Sequence, residues 1–468
     1  MSAYKLLIDG KMVDGGSKAI DVINPATGAV LDKCPTATEA QLNDAIAAAK
    51  KAFPAWSKLS FEERQAKLNA LADAVAANTN ELARILTQEQ GKPLPMATGE
   101  IEGAAYGLRA FAAMRVEPKI LKQSDSEKIV ELRKPLGVVA GIVPWNFPIL
   151  LMVMKVGPAL ITGNTMIIKP APSTPLTTLK FAELAAKVLP PGVLNIIADN
   201  NDLGARLTGH PDVAKISFTG STETGKKVMS SVAGTLKRLT LELGGNDAAI
   251  VLDDVDVKKV APGIFNSAML NSGQICTATK RVYAHASIYD DLCNELAKLA
   301  KEAVVGDGLE QGVTVGPIQN KAQFEKVKGF VESAKAEGKV IAGGTVSDKG
   351  GYFVHPTIVR DISDSAKLVR EEQFGPVLPI LKFNDVSDAV ARANDTEYGL
   401  AGSVWTSNPD RGFDVATQID SGTVWVNKFL EVPFDVPFRG AKQSGLGGEN
   451  GEEAMHSYTQ AKIINVAL

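Results

Sequence analysis

The sequence predicts an α/β protein of two open-sheet lobes facing each other across a cleft, with a small β element outside them. Three observations predict it. Between residues 137 and 243, short apolar strands alternate with helical segments, and a second alternating set runs from 247 to 427. Outside both sets, "EKIVELRK" (127–134) reads as an exposed strand of a projecting ribbon. Apolar strands separated by helices form parallel sheets covered on both faces.

Composition sets the bounds. A chain of 468 residues has room for about three domain equivalents and a large core. With 50 basic against 53 acidic residues, it shows neither a nucleic-acid patch nor an acidic tail. Three cysteines, at 34, 276 and 293, are too scattered for a disulfide framework, and without C-x-x-C no metal site is expected. The opening "MSAYKLLIDGKMVDGG" has no apolar stretch of signal-peptide length, so a reduced, cytoplasmic setting is the expectation.

Taken in order, residues 38 to 91 read as helical. Thr38 with Gln41 and Ser60 with Glu63 have capping-box spacing, and Gly91 and Pro93 close the run. Residues 135–154, "PLGVVAGIVPWNFPILLMVM", are uncharged over a transmembrane length. Pro144 and Pro148 would break a spanning helix at its middle, so a buried strand, a "PWNFP" turn and a buried helix are expected instead. "TMIIK", "VLNIIA", "VAKISF" and "LKRLTLEL" complete the first sheet, with Thr174 as a helix cap and Pro175 in the first turn. "DAAIVL", "RVYAH", "VLPILKF", "AGSVWT" and "TVWVN" form the second. The tail "SYTQAKIINVAL" is expected to add an edge strand to the ribbon or to a partner.

Several stretches carry chemistry. "KISFTGSTETGKKV" leaves a strand and enters a helix through a turn bounded by Gly220 and Gly225, where backbone N–H groups can hold phosphate. Lys227 stands where a P-loop needs its magnesium-binding hydroxyl, so the stretch reads first as an ordinary capped helix and second as a nucleotide site. Cys293 falls in line with Leu296 and Ala300 on an apolar face and reads as core; Cys34 falls in an early turn. Cys276, in "LNSGQICTATKR", sits among small and polar residues, with filler and nucleophile both open. The four histidines (210, 285, 355, 456) are isolated, and no G-x-S-x-G elbow is present. A carboxylate is therefore the better candidate base. Glu242 ends a strand before two glycines that would let a flat ligand reach the backbone.

Six stretches then combine: "VPWNFP" (143–148), "IIKPAPSTP" (167–175), "FTGSTETG" (218–225), "LELGGND" (241–247), "GQICTA" (273–278) and "EEQFGPV" (371–377). In this order and spacing the chain resembles the NAD(P)-dependent aldehyde dehydrogenase superfamily, nearly end to end. The resemblance implies two Rossmann-like lobes: a cofactor-binding domain of residues 1–114 and 136–246, and a catalytic domain of residues 247–440. Residues 115–135 and 441–468 would form an oligomerisation ribbon and tail, serving a homodimer or homotetramer. It further implies that Cys276 is the nucleophile, Asn146 and the Cys276 N–H the oxyanion donors, Glu242 the general base and Lys155 a proton-relay lysine.

For the cofactor, NAD or NADP, the resemblance places Lys169 at the adenosine ribose and Ser221 at the pyrophosphate beside Gly220 and Gly225. Glu372 falls at the nicotinamide ribose, with Phe374, Trp145 and Leu243 around it. Phe147, Leu150, Met154, Leu270, Ile275 and Phe438 match the substrate tunnel. All are apolar, which implies a neutral aliphatic or aromatic aldehyde; Leu151 reads equally as core. The chain departs from the family pattern at Pro172, where NAD-preferring members carry an acid, and at Arg439 and Gly448. Pro172 removes a carboxylate that would repel a 2′-phosphate, so selectivity is expected to be loose or tilted to NADP.

Overall fold

A computed structural model of the chain describes residues 4–347 and 350–468, so residues 1–3 of the opening stretch lie outside the described residues. The helical start forms as Glu39–Trp56, Phe61–Ala77 and Thr79–Gln90, and both capping boxes close reciprocally. Gly91 ends the third helix in the left-handed region, at φ 99°. Pro93 does not end the helical run. It sits at the N-cap of a fourth helix, Leu94–Ala113, where a missing N–H costs nothing because the first-turn donors have no intrahelical partner anyway.

Eight strands make the first sheet. Its parallel centre runs Leu194–Ile196, Thr165–Lys169, Val138–Ile142, Val213–Thr219, Arg238–Glu242 in spatial order. Sequence order reverses between Val138–Ile142 and Val213–Thr219, which opens a crevice at the carboxyl ends of the strands. Lys169 pairs with Ile142, and Thr219 with Glu242, so these strand ends share one edge. Gly445–Leu446 closes the sheet beside Arg238–Glu242.

The segment 135–154 is a buried strand, a turn and the helix Pro148–Ile161, and no described helix is long and apolar enough to cross a membrane. Thr174 is not the cap expected of it. The helix begins at Leu176, and Glu89 accepts hydrogen bonds from the Leu176 and Thr177 N–H groups at 2.7 and 2.9 Å. Two carboxylate oxygens can serve two first-turn donors where one hydroxyl serves one.

The second sheet has seven strands, ordered Lys339–Ala342, Thr357–Arg360, Val377–Phe383, Arg281–His285, Ala248–Val251, Ala401–Trp405, Thr423–Val426. All but the first run parallel. Separate apolar clusters pack on its two faces, while one large cluster serves the first lobe. Outside both sheets, Thr459–Ala467 pairs along Glu127–Pro135, which also pairs with Lys119–Gln123. The tail thus joins its own ribbon. Cys34 lies buried within the strand Val30–Thr36 rather than in a turn, and Cys293 is buried on its helix face as expected.

Candidate active site

A cleft of about 180 Å³ opens where the carboxyl edge of the first sheet faces the second lobe. Its walls include Trp145, Asn146 and Leu151, then Gly220, Ser221 and Leu243, and from the other lobe Cys276, Glu372 and Phe374. Residues from four of the six stretches that raised the resemblance, plus Leu243 of a fifth, therefore meet at one place.

The segment before Cys276 is strained and heavily pinned. Asn271, Ser272 and Gly273 follow one another in the left-handed region, at φ 51°, 57° and 69°. For the two non-glycine residues this costs about 1–3 kcal/mol each. Asn271 Nδ2 donates to the Asn146 carbonyl (3.2 Å), Ser272 Oγ to the Gly316 carbonyl (2.8 Å) and Gln274 Nε2 to the Asn271 carbonyl (2.9 Å). Only glycine fits at 273, because a Cβ there would lie 2.4 Å from the Gly375 carbonyl oxygen. Cys276 is partly exposed, unlike the two fully buried cysteines. Burial pushes its thiol up to about 12; the Lys280 ammonium opposes this, and Asp247, Glu372 and Glu242 add to it.

Glu242 ends its strand with neither carboxylate oxygen hydrogen-bonded among the described residues. Burial holds its carboxyl well above the usual range, Glu449 adds repulsion and Lys155 counteracts it. Lys155 is fully buried, donating to Thr219 Oγ1 at 2.7 Å and pairing with Glu449, which also accepts from Ser217 Oγ. Asn146 Nδ2 donates to the Gln274 carbonyl at 3.0 Å, which leaves its second N–H for the cleft. Its own carbonyl accepts from Lys92 Nζ at 2.8 Å, and Lys92 pairs with Glu100 at 2.6 Å in full burial.

Groups able to hold a dinucleotide line the other half of the cleft. Ser221 caps the helix Thr222–Val232, and its Oγ accepts from Thr224 N–H. The N–H groups of Thr222 and Glu223 have no acceptor among the described residues, which leaves them for a phosphate. A Cβ at Gly225 would lie 2.5 Å from Leu243, so glycine lets the helix close on that side chain. Glu372 accepts the Gly245 N–H at 3.0 Å, and burial raises its carboxyl above the usual range. The paired glycines make room for protein rather than for a ligand alone: Cβ atoms at 244 and 245 would lie 2.6 Å from Glu372 Oε2 and from the Cys276 carbonyl oxygen. Phe374, at φ 49°, meets Trp145 edge-on at 5.3 Å, and Gln323 Nε2 holds its carbonyl at 3.0 Å. Lys169 is not free to take a phosphate: Asp199 pairs with it at 2.6 Å, both buried. Pro172 lies in the turn beyond Lys169, half-buried.

The expected tunnel residues divide. Met154, Ile275 and Phe438 are buried, Phe147 and Leu150 half-buried, and Leu270 is 37 % exposed. Leu151, ambiguous in the sequence, lines the cleft. Arg439 pairs with Glu453 near the C-terminal helix, and a Cβ at Gly448 would lie 2.9 Å from that glutamate's Cδ. Sequence reasoning missed Glu449, Lys280, Asp199, Gln323 and the Lys92–Glu100 pair. For Glu449 the only available signal was an acid following the late glycine pair in "GLGGEN".

Known proteins share this arrangement. The aldehyde dehydrogenase family matches residues 12–464. The mitochondrial succinate-semialdehyde dehydrogenase of Arabidopsis thaliana is 41% identical over 465 residues, covering 98% of this chain and 88% of its own. An NADP-dependent enzyme of E. coli superposes with a TM-score of 0.97 at 37% identity, covering 100% of this chain and 98% of its own. An NAD+ complex of an aldehyde dehydrogenase from Bacillus cereus gives 0.97 at 36%, covering 99% and 96%. A cysteine on a cleft between two such lobes, matched over nearly the whole chain by these relatives, places the protein in the aldehyde dehydrogenase family: it is an oxidoreductase that acts on the aldehyde group with NAD or NADP.

Proposed function

We propose that the protein oxidises a neutral aliphatic or aromatic aldehyde to the carboxylic acid, with Cys276 as nucleophile and Glu242 as the hydrolytic base. One contrast carries this reading: the single partly exposed cysteine lines the cleft, and the nearby buried glutamate has both oxygens unengaged. The Cys276 sulfur adds to the aldehyde carbon, and the carbonyl oxygen, gaining the electron pair, is held by Asn146 Nδ2 and the Cys276 N–H. NAD or NADP, when bound, would supply the acceptor for the hydride that the tetrahedral carbon loses as its oxyanion re-forms the carbonyl. The aldehyde carbon is then joined to sulfur as a thioester. Glu242 takes a proton from water, the water oxygen attacks the thioester carbon, and Cys276 leaves as thiolate. A coenzyme-A-acylating course would have no use for that base. Lys155, Thr219 and Glu449 form a polar chain beside Glu242 suited to passing its proton onward.

Residues 1–114 and 136–246 would hold the cofactor and 247–440 the nucleophile. The ribbon would join two or four copies, since Ile120, Ile463 and Val466 are exposed on it. Leu151 on the cleft supports a neutral substrate. A carboxylate-bearing semialdehyde is the second reading, favoured by the Arabidopsis relative; of the cations it could use, Arg439 is engaged by Glu453, and Lys326, on the cleft wall, donates to the Glu372 carbonyl. Comparing kcat/KM for hexanal or benzaldehyde with succinate semialdehyde decides between them. The neutral aldehyde is expected to win, and a tenfold advantage for the acid, about 1.4 kcal/mol, would overturn the neutral reading.

A further inference from the structure

Lys280 has no part in the chemistry above, yet it is fully buried four residues after the nucleophile. Its Nζ donates to three backbone carbonyls of one loop: Ile275 at 2.6 Å, Cys276 at 3.1 Å and Ala278 at 3.3 Å. Its nearest carboxylate is Glu372, at 4.0 Å. The peptide joining Ile275 to Cys276 is trans, so its carbonyl and N–H point in opposite directions. Drawing the Ile275 carbonyl onto the ammonium therefore turns the Cys276 N–H the other way. That N–H meets no acceptor among the described residues.

We infer that Lys280 is a positioning residue that orients the Cys276 N–H as an oxyanion donor by holding the carbonyl on the other side of the same peptide. The inference rests on the reading of Cys276 as nucleophile. A buried ammonium suits the task better than a neutral donor because it engages several carbonyls of a tight loop at once. Its charge also acts on the sulfur directly, against Asp247, Glu372 and Glu242. Gly245 lets the second clamped carbonyl sit where it does, since a Cβ there would lie 2.6 Å from the Cys276 oxygen.

The test compares Lys280→Met, which keeps the side-chain volume, with Lys280→Gln, which keeps N–H donors without the charge. Two rates are read in each: steady-state turnover of hexanal, and alkylation of Cys276 by iodoacetamide, which develops no oxyanion. Lys280→Met is expected to lower turnover about a hundredfold, the size of losing one oxyanion donor. Alkylation should fall less than about tenfold, and Lys280→Gln should recover part of the turnover. A turnover loss below threefold, or equal losses in the two rates, would overturn the inference. So would a variant too unstable to purify, because a group acting only on this loop leaves the apolar clusters of both lobes intact. Cys276→Ala separates the two levels. If it retains turnover, the nucleophile reading itself fails; if it is inactive while Lys280→Met matches wild type, only the inference does.

Discussion

Where the helix Pro148–Ile161 begins, Glu100 has both oxygens engaged: one accepts the Ile149 and Leu150 N–H groups at 3.0 and 3.2 Å, the other the Lys92 ammonium at 2.6 Å. Glu89, one helix earlier, likewise accepts from Leu176, Thr177 and the Thr177 hydroxyl. At the carboxyl edge of the first sheet, Glu242 is equally buried and has no hydrogen bond among the described residues. An unsatisfied buried polar group costs about 1–3 kcal/mol. That cost fits the proton exchange proposed for Glu242, while Glu89 and Glu100 hold backbone in place. The cysteines divide in the same way, Cys293 packed among leucines and Cys276 set on the cleft.

Substitution should break this comparison cleanly, and the largest effect is expected at the sulfur. Cys276→Ala should lose more than a thousandfold of turnover while cofactor affinity stays near wild type, whereas Cys293→Ala stays within about twofold. Retention of more than about a thousandth of turnover by Cys276→Ala would remove the nucleophile from the account.

Glu242→Gln should separate the half-reactions. A burst of reduced cofactor, one per site, is expected, followed by turnover slower by about 10²–10⁴, the range for loss of a general base. Absence of the burst would move Glu242 to an earlier step. Glu100→Gln is the counterpart among the satisfied carboxylates: it leaves Lys92 buried without a counter-charge, a loss of about 3–5 kcal/mol for breaking such a pair. It should lower Tm strongly, and an unchanged melting curve would show the pair contributes little.

A smaller effect concerns pH. As the proposed base, Glu242 would act only when ionised, and burial raises its carboxyl well above the ordinary range, so its protonated form persists to higher pH than for an exposed glutamate. The Cys276 thiol, pushed up to about 12, works in the same direction. Turnover should therefore climb from neutral to alkaline pH, and a flat profile between about pH 6 and 9 would contradict both assignments.

Much of this was legible in the sequence, for physical reasons that particular residues make plain. Strands such as Thr165–Lys169 are continuous apolar runs bounded by turn residues, and the Thr38 and Ser60 caps are local, so their partners lie three residues away. The helix Leu94–Ala113 was hidden because Gly91 and Pro93 read as a stop. Thr174 has the spacing of a cap, but the group that serves the helix start, Glu89, lies on another helix. In the site, the assignments proposed for Cys276, Asn146 and Glu242 come from stretches recognisable together. Asp199 has no local signature and Glu449 only the glycine pair before it: each matters for the lysine that folding brings to it.

The most direct test of the account is to trap the acyl enzyme. Glu242→Gln is mixed with hexanal and NAD, quenched in acid and digested, and the peptide holding Cys276 is weighed. A hexanoyl group is expected on Cys276, near one per chain, and none in Cys276→Ala. An unmodified Cys276 peptide after a full burst of reduced cofactor, or an acyl group on another residue, would contradict the nucleophile reading.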